Sequence, residues 1–341
     1  MERNTKIKVG ILGATGLIGQ VFVKLLSDHP VFEPVVLTGS GKGGEQYSER
    51  VKWKIPFNIP ENASKQIVSG YDINILKSEG IKFIFSALPS EIAEDIENEL
   101  REHGFYLFSN ASSHRYDHYV PIVIPDVNPE ALDMIKKQGF PKNGFIVTNP
   151  NCSTAGLAIA LNPLKKFGIR EVTVSTYQAV SGAGYPGLSA MDITNTVIPH
   201  IEGEEEKIEI ETKKILEIDP DIFASCVRVP TLFGHLESVW VTFNSSPGPE
   251  DVEEAWETGT GPYELHSLPR KQVICLTGKK YPGNDLAFKG DPPGMQVYTG
   301  GLRQRNGKTG FNLMANNLVR GGAGGSVANA ELFIKKFGRI K

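Results

Sequence analysis

The 341-residue sequence predicts a two-domain α/β protein: a parallel sheet wound by helices, then an α+β half with a largely antiparallel sheet. Three observations predict it. An apolar run, a glycine-rich turn and a helix-spaced apolar stripe follow one another at the start of the chain. Strands and helices then keep alternating through the first half. The second half changes to β-branched runs around one charged helix. At about 150 residues per domain the length fits two domains.

The elements follow in order. Ile7–Leu12 is a strand and Gly13-Ala14-Thr15-Gly16 a tight turn. Leu17, Ile18, Val21, Phe22, Leu25 and Leu26 recur at helical spacing up to Asp28-His29-Pro30. Pro34–Thr38 is a second strand. Phe83–Phe85 is a third, ending at Ser86-Ala87-Leu88-Pro89. A helix carries Ile92, Ala93, Ile96 and Leu100, and Tyr106–Phe108 and Phe145–Val147 are further strands. Beyond them, Glu171–Val180, Ser238–Phe243, Val273–Leu276 and Met295–Tyr298 read as strands. Glu204–Leu216 and Ala323–Phe337 read as helices, and Asn244–Pro249 and Lys279–Gly294 as loops.

Charge and cysteine usage exclude several classes. The net charge of -3 argues against bulk binding to nucleic acid or an anionic membrane. No apolar run reaches spanning length. The N-terminus runs straight toward a strand with no apolar leader. Cys152, Cys226 and Cys275 are too widely spaced for a zinc site, so no metal is expected. Their odd number argues against a disulfide framework and for the cytoplasm.

Gly13-x-x-Gly16-x-x-Gly19, between strand and helix, is placed to receive a dinucleotide pyrophosphate. Glycine lets backbone come close to phosphate, and the helix N-terminus offers N–H groups. The second strand ends in Thr38-Gly39-Ser40-Gly41-Lys42, with no acid to bond ribose hydroxyls. That favours NADP over NAD. Cys152, in Asn149-Pro150-Asn151-Cys152-Ser153-Thr154, opens an apolar helix, where the helix field favours a nucleophilic thiolate. Cys226 and Cys275, in β-like stretches, read as inert. A nucleotide site plus a thiolate suits hydride transfer to or from an acyl thioester. Glu205, Glu206, Glu209 and Glu211 read as a solvated helix face.

These segments resemble the aspartate-β-semialdehyde dehydrogenase family, in its archaeal and fungal-like branch. The resemblance runs from GILGATGLIGQ (10–20) through SALPS (86–90), SNASSHR (109–115), VPIVIPDVN (120–128), NPNCST (149–154) and STYQAVSGAG (175–184). It continues in PHIEGEEEKIEIETKKIL (199–216), RVPTLFGHLESVWV (228–241) and NNLVRGGAGGSVANAELF (316–333). It implies a Rossmann-type domain, residues 1–151 with 319–341, and a catalytic and dimerisation domain, 152–318, like the C-terminal domain of glyceraldehyde-3-phosphate dehydrogenase. It implies Cys152 as nucleophile, His235 as acid/base, Gln178 orienting the acyl group and Asn151 near the oxyanion. Arg228 falls on the substrate carboxylate site, Glu204 on the ammonium site, and Lys207 and Arg115 on the phosphate site. NADP would meet Gly13, Thr15, Gly16, Leu17, Ile18, Gly19, Ser40, Lys42, Ser86, Leu88, Pro89, Ser181, Gly182 and Asn317. The family's second-strand loop usually carries an arginine that this chain lacks, which leaves dual NAD/NADP use open.

The resemblance implies reductive dephosphorylation of L-aspartyl-4-phosphate, in lysine, threonine, methionine and isoleucine synthesis, by a homodimer or homotetramer. A malonyl-CoA reductase would keep the chemistry and change the acyl donor. A non-catalytic nucleotide-binding regulator and a cysteine hydrolase are the readings from other classes.

Overall fold

A computed structural model describes residues 6–259, 261–278 and 280–338. Expectations touching residues 1–5 and Lys279 lie outside them. The chain divides into two units. The first runs to Pro121 and resumes over Glu130–Asn149; the second takes Ile122–Pro129 and the chain from Pro150 onward.

The first unit is built from β1 (Ile7–Leu12), α1 (Leu17–Ser27), β2 (Phe32–Thr38), β3 (Gly43–Gln46), single-turn α2 (Tyr47–Arg50) and α3 (Glu61–Ser64), and β4 (Ile67–Ser69). It continues with α4 (Ile73–Ser78), β5 (Phe83–Ser86), α5 (Ser90–Glu102), β6 (Tyr106–Ser109) and β7 (Phe145–Thr148). The seven strands stand in the order β3-β4-β2-β1-β5-β6-β7, all parallel except β3 against β4. Strands covered on both faces should be apolar without alternation, and β5, β6 and β7 are buried at every position. Phe32, Phe83, Phe85, Phe108 and Phe145 pack ring against ring across them. Each buried ring contributes about 1.5–3 kcal/mol. Strand order reverses beside β1, since β2 lies on one side and β5 on the other. In such sheets the ligand crevice opens at that reversal, beyond the strands' carboxyl ends.

The second unit contains α6 (Cys152–Leu161), β8 (Ile169–Ala179), α7 (Ala190–Ile193), α8 (Glu204–Leu216), β9 (Asp221–Val229) and β10 (His235–Phe243). After them come α9 (Pro249–Thr258), β11 (Val273–Leu276), β12 (Val297–Arg305), β13 (Lys308–Ala315) and α10 (Gly324–Phe337). Its sheet has the order β11-β12-β13-β10-β8-β9 and is mixed: β11 with β12 and β8 with β9 are parallel, the other pairs antiparallel. Residues 153–161 of α6 are all buried, as befits a helix apolar on every side. They pack with Val172, Val174, Val239, Val241, Phe311 and Leu313 of one sheet face and with Trp256 of α9.

Three of the longer elements, β9, β13 and α9, were not expected from the sequence. The β9 run mixes polar and apolar residues, and Gly310 interrupts β13, where a Cβ would come within 2.7 Å of the Trp240 ring. For α9 the signal is present in Gly248-Pro249-Glu250-Asp251: proline opens the helix and the Asp251 carboxylate accepts the Gly248 N–H at 2.7 Å. The boundary also differs. Residues 319–338 fall in the second unit, because the turn Val319–Ala323 lies on α6: a Cβ on Gly321 would come within 2.7 Å of the Cys152 backbone. Asn329 holds the carbonyl of Val123, also of this unit, at 3.1 Å.

Candidate active site

The glycine turn belongs to the first unit. Gly13 has φ +71°, and a Cβ there would come within 2.6 Å of the Ala87 carbonyl oxygen. A Cβ on Gly19 would meet the Gly13 carbonyl oxygen at 2.1 Å, so Gly19 serves the close packing of α1 on the turn. Gly16 is exposed, and its Cβ would meet only Gly13 O, at 3.5 Å. It caps α1 without any side-chain hydrogen bond, and the first turn holds no acid. An uncapped helix N-terminus behind an open glycine fits a pyrophosphate. Thr15 approaches Gly39 at the end of β2; Ser40 and Lys42 are exposed just beyond. Ser86 ends β5, the strand beside β1, and Leu88 and Pro89 follow it.

Arg115 also lies in the first unit. It is buried, and its Nη2 donates to the Asn110 carbonyl at 3.1 Å. Its neighbour His114 is held by Asp117, with Nδ1 2.7 Å from the carboxylate, and its Nε2 lies 3.8 Å from Glu97. Glu97 accepts the Ser109 hydroxyl at 2.8 Å. Burial raises the Glu97 carboxyl against the lowering effects of Ser109 and His114.

The second unit gathers Asn151, Cys152, Gln178, Glu204, Arg228 and His235. Asn151 caps α6, its Oδ1 accepting the N–H groups of Ser153 and Thr154 at 3.0 and 3.3 Å. The cap sets Cys152 at the positive end of the helix. The Cys152 Sγ lies 3.2 Å from Nε2 of His235, the first residue of β10. The other ring nitrogen, Nδ1, accepts the Ala179 backbone N–H at 3.1 Å. An acceptor nitrogen bears no proton, so the neutral ring carries its proton on Nε2, facing the sulfur. Burial first, and then the Arg228 charge, lower the His235 pKa to about 3.

Register explains the rest. Gln178 on β8 pairs with Arg228 on β9. The Arg228 Nη1 donates to Gln178 Oε1 at 3.3 Å and to the Ala179 carbonyl at 2.9 Å. Gly182 leaves the guanidinium its room, since a Cβ there would lie 2.6 Å from Nη1. Glu204, at the start of α8, accepts from Asn151 Nδ2 at 2.7 Å, Gln178 Nε2 at 3.3 Å and Lys207 Nζ at 2.9 Å. Burial alone would raise its carboxyl; the Lys207 ammonium and these hydrogen bonds outweigh burial and hold it below the usual range. Asn317 accepts the Gly234 N–H at 3.0 Å and donates to the Ser181 hydroxyl at 2.9 Å, tying together the chain ahead of His235 and ahead of Gly182.

One expectation needs correction, the solvated glutamate face of α8, and two residues were missed. Glu211 is fully buried, not solvated: α8 turns Glu204, Ile208, Glu211, Thr212 and Ile215 inward, and the Glu211 carboxylate accepts the Asn151 N–H at 2.5 Å. Glu205 and Glu209 likewise accept the N–H groups of Cys226 and Ala224 in β9. Asn284 was missed; its amide holds the carbonyls of Phe233 and Gly234 at 2.9 and 2.8 Å. Glu237 was missed too. It lies two residues after His235 on the same strand face, fully buried beside Gly156, and neither carboxyl oxygen has a hydrogen bond among the described residues. Its i, i+2 spacing from His235 was the available signal. Cys226 and Cys275 behave as expected of packed thiols: burial pushes Cys226 up to about 12 and raises Cys275. No group of three or more His, Cys, Asp or Glu among the described residues could hold a metal ion.

Known proteins share this architecture. Residues 8–135 match the family description "Semialdehyde dehydrogenase, NAD binding domain" and residues 161–320 match "Semialdehyde dehydrogenase, dimerisation domain". An aspartate-semialdehyde dehydrogenase of Archaeoglobus fulgidus is 40% identical, over 97% of this chain and 99% of its own. A malonyl CoA reductase (NADP) of Metallosphaera sedula is 36% identical, with 97% of each chain covered. The crystal structure of the Candida albicans aspartate semialdehyde dehydrogenase with NADP superposes with a TM-score of 0.83 at 34% identity, covering 96% of this chain and 98% of that one. With both matches in chain order and a thiol facing an imidazole at the head of α6, the chain belongs to the semialdehyde dehydrogenase family.

Proposed function

We propose that the chain reduces L-aspartyl-4-phosphate to L-aspartate 4-semialdehyde with NADPH, through a thioester on Cys152. The observation that carries the reading is the 3.2 Å approach of Cys152 Sγ to His235 Nε2 at the N-terminus of a buried helix. The Candida relative solved with NADP and the glycine turn support the cofactor. Gly13, Thr15, Gly16, Leu17, Ile18, Gly19, Ser40, Lys42, Ser86, Leu88 and Pro89 would hold it, with Ser181, Gly182 and Asn317 serving from the second unit. When bound, NADPH supplies a hydride.

The residues divide the work as follows. The Cys152 thiolate attacks the acyl carbon, and the C–O bond to phosphate breaks, giving a thioester and phosphate, which takes up one proton. Arg115 and Lys207 stabilise the phosphate. After hydride addition the tetrahedral oxygen is negative, and the Nε2–H of His235 donates to it. Collapse expels the Cys152 thiolate and frees the aldehyde, so sulfur ends as it began. Gln178 orients the acyl group, and Asn151 holds Cys152 at the helix end and contributes near the oxyanion. The Arg228 fork takes the substrate carboxylate, and Glu204, kept ionised by Lys207, takes the ammonium.

That ionised Glu204 favours aspartate over malonyl-CoA, which has no ammonium. Phosphate-dependent reduction of NADP by aspartate semialdehyde, assayed beside NADPH oxidation by malonyl-CoA, tests the choice. Activity only with malonyl-CoA rejects the aspartate reading; no activity with either rejects the chemistry.

The same reading makes the chain a cytoplasmic homodimer or homotetramer. Among the described residues no helix is long and apolar enough to cross a membrane. The match to a dimerisation domain supports self-association. So does the second sheet's outer face, where Phe223 is 58% and Tyr177 39% exposed. Functionally, 1–151 with 319–341 is assigned to the cofactor and 152–318 to the substrate.

A further inference from the structure

The loop after β2 holds one cation, Lys42, and no acid. A second cation reaches it from outside the loop. Arg50, the last residue of α2, donates through Nη2 to the Ser40 carbonyl and through Nη1 to Glu45. The guanidinium lies over Gly41, where a Cβ would come within 3.4 Å of Nη2, and it remains partly open, with 26% of the side chain exposed. Its position is anchored. Tyr47, the first residue of α2, is fully buried, and its hydroxyl donates at 2.9 Å to the carbonyl of Ala14, inside the glycine turn. Gly39 in turn abuts Thr15 of the same turn. One packed patch therefore joins the pyrophosphate turn, the end of β2 and Arg50.

From the glycine turn an adenosine ribose reaches the end of the second strand, where dinucleotide sites read its 2′ substituent. We propose that Arg50 recognises the 2′-phosphate of NADPH, together with Ser40 and Lys42, and sets the preference over NADH. This rests on the cofactor reading above. A guanidinium bonds phosphate through two parallel N–H groups, which a lone lysine cannot do. Of the charges close by in the chain, Lys42 favours a phosphate, and Glu45 opposes it by holding one edge of the fork. Glu49, exposed on the same turn, faces solvent.

The test is equilibrium titration of the full chain with NADPH and NADH, and with adenosine 2′,5′-bisphosphate and AMP, by calorimetry. The unmodified protein should bind the 2′-phosphorylated member of each pair more tightly; equal binding overturns the cofactor reading itself. In Arg50→Ala the NADPH dissociation constant should rise about ten- to a hundredfold, the worth of a charge-assisted contact, while NADH binding holds. An NADPH to NADH ratio as in the unmodified protein overturns the proposal. Glu45→Gln guards against misfolding of Arg50→Ala: it frees the guanidinium and should raise the ratio, and an unchanged or lowered ratio also overturns the proposal.

Discussion

Nδ1 of His235 accepts the backbone N–H of Ala179 at 3.1 Å, and this bond decides what the ring can do for Cys152. A second ring proton would point one donor at another, in a site where burial and Arg228 already disfavour charge. His235 therefore works as a neutral Nε2–H donor. With a pKa near 3, it should remain neutral from about pH 5 to 8. In 15N NMR, Nε2 should carry the proton and Nδ1 none, with no titration step near 6.5. A step there would contradict the assignment. His235→Ala should lower turnover about 10²- to 10⁴-fold.

Cys152→Ala should abolish turnover while NADPH still binds, since the glycine turn lies on other elements. Fluorescence titration beside a steady-state assay reads both. Full activity in the variant would remove the thioester from the mechanism.

Arg228 is buried and forked onto Gln178 and Ala179. Arg228→Lys keeps the charge and loses the planar geometry. The Michaelis constant for aspartate semialdehyde should rise about ten- to a hundredfold, with NADPH binding unchanged. An unchanged constant would take the substrate carboxylate away from Arg228.

Glu211 ties α8 to the chain ahead of Cys152 through the Asn151 N–H. Glu211→Ala leaves that donor buried and unpaired. Stability should fall by roughly 1–3 kcal/mol in urea, and turnover should fall with it as the α6 cap loosens. A variant as stable and as active as the parent would show that the cap stands alone.

Glu237 is fully buried, and burial raises its carboxyl well above the usual range, so the folded protein keeps a proton that the unfolded chain releases. Its contribution is complete below about pH 4, the ordinary carboxylate value, and is lost as pH rises toward the raised folded value. Glu237→Gln removes this loss. The difference in urea stability between Glu237→Gln and the parent should grow in the variant's favour from about pH 4 upward. A constant difference would place a charged Glu237 in the core.

The sequence by itself determined the local features. Ile7–Leu12, the Gly13–Gly19 turn and the α1 stripe declared a nucleotide-binding unit, because strand, turn and helix are each set by neighbours in the chain. Cys152 at the start of a helix was legible for the same reason, and α8 was read at its observed ends, Glu204 and Leu216. The tertiary structure decided what depends on distant partners. Only the β8–β9 register sets Gln178 beside Arg228, and only the fold brings Ala179 to His235, 56 residues away, to fix its tautomer. Glu211 and Glu209 look alike in sequence, yet one is buried against Asn151 and the other bonds the edge strand β9. Arg50 is one cation among many until Tyr47 packs its turn against Ala14. Burial and hydrogen bonding act between residues the chain order does not list together, and they turned a charged side chain into an anchor and a histidine into a fixed donor.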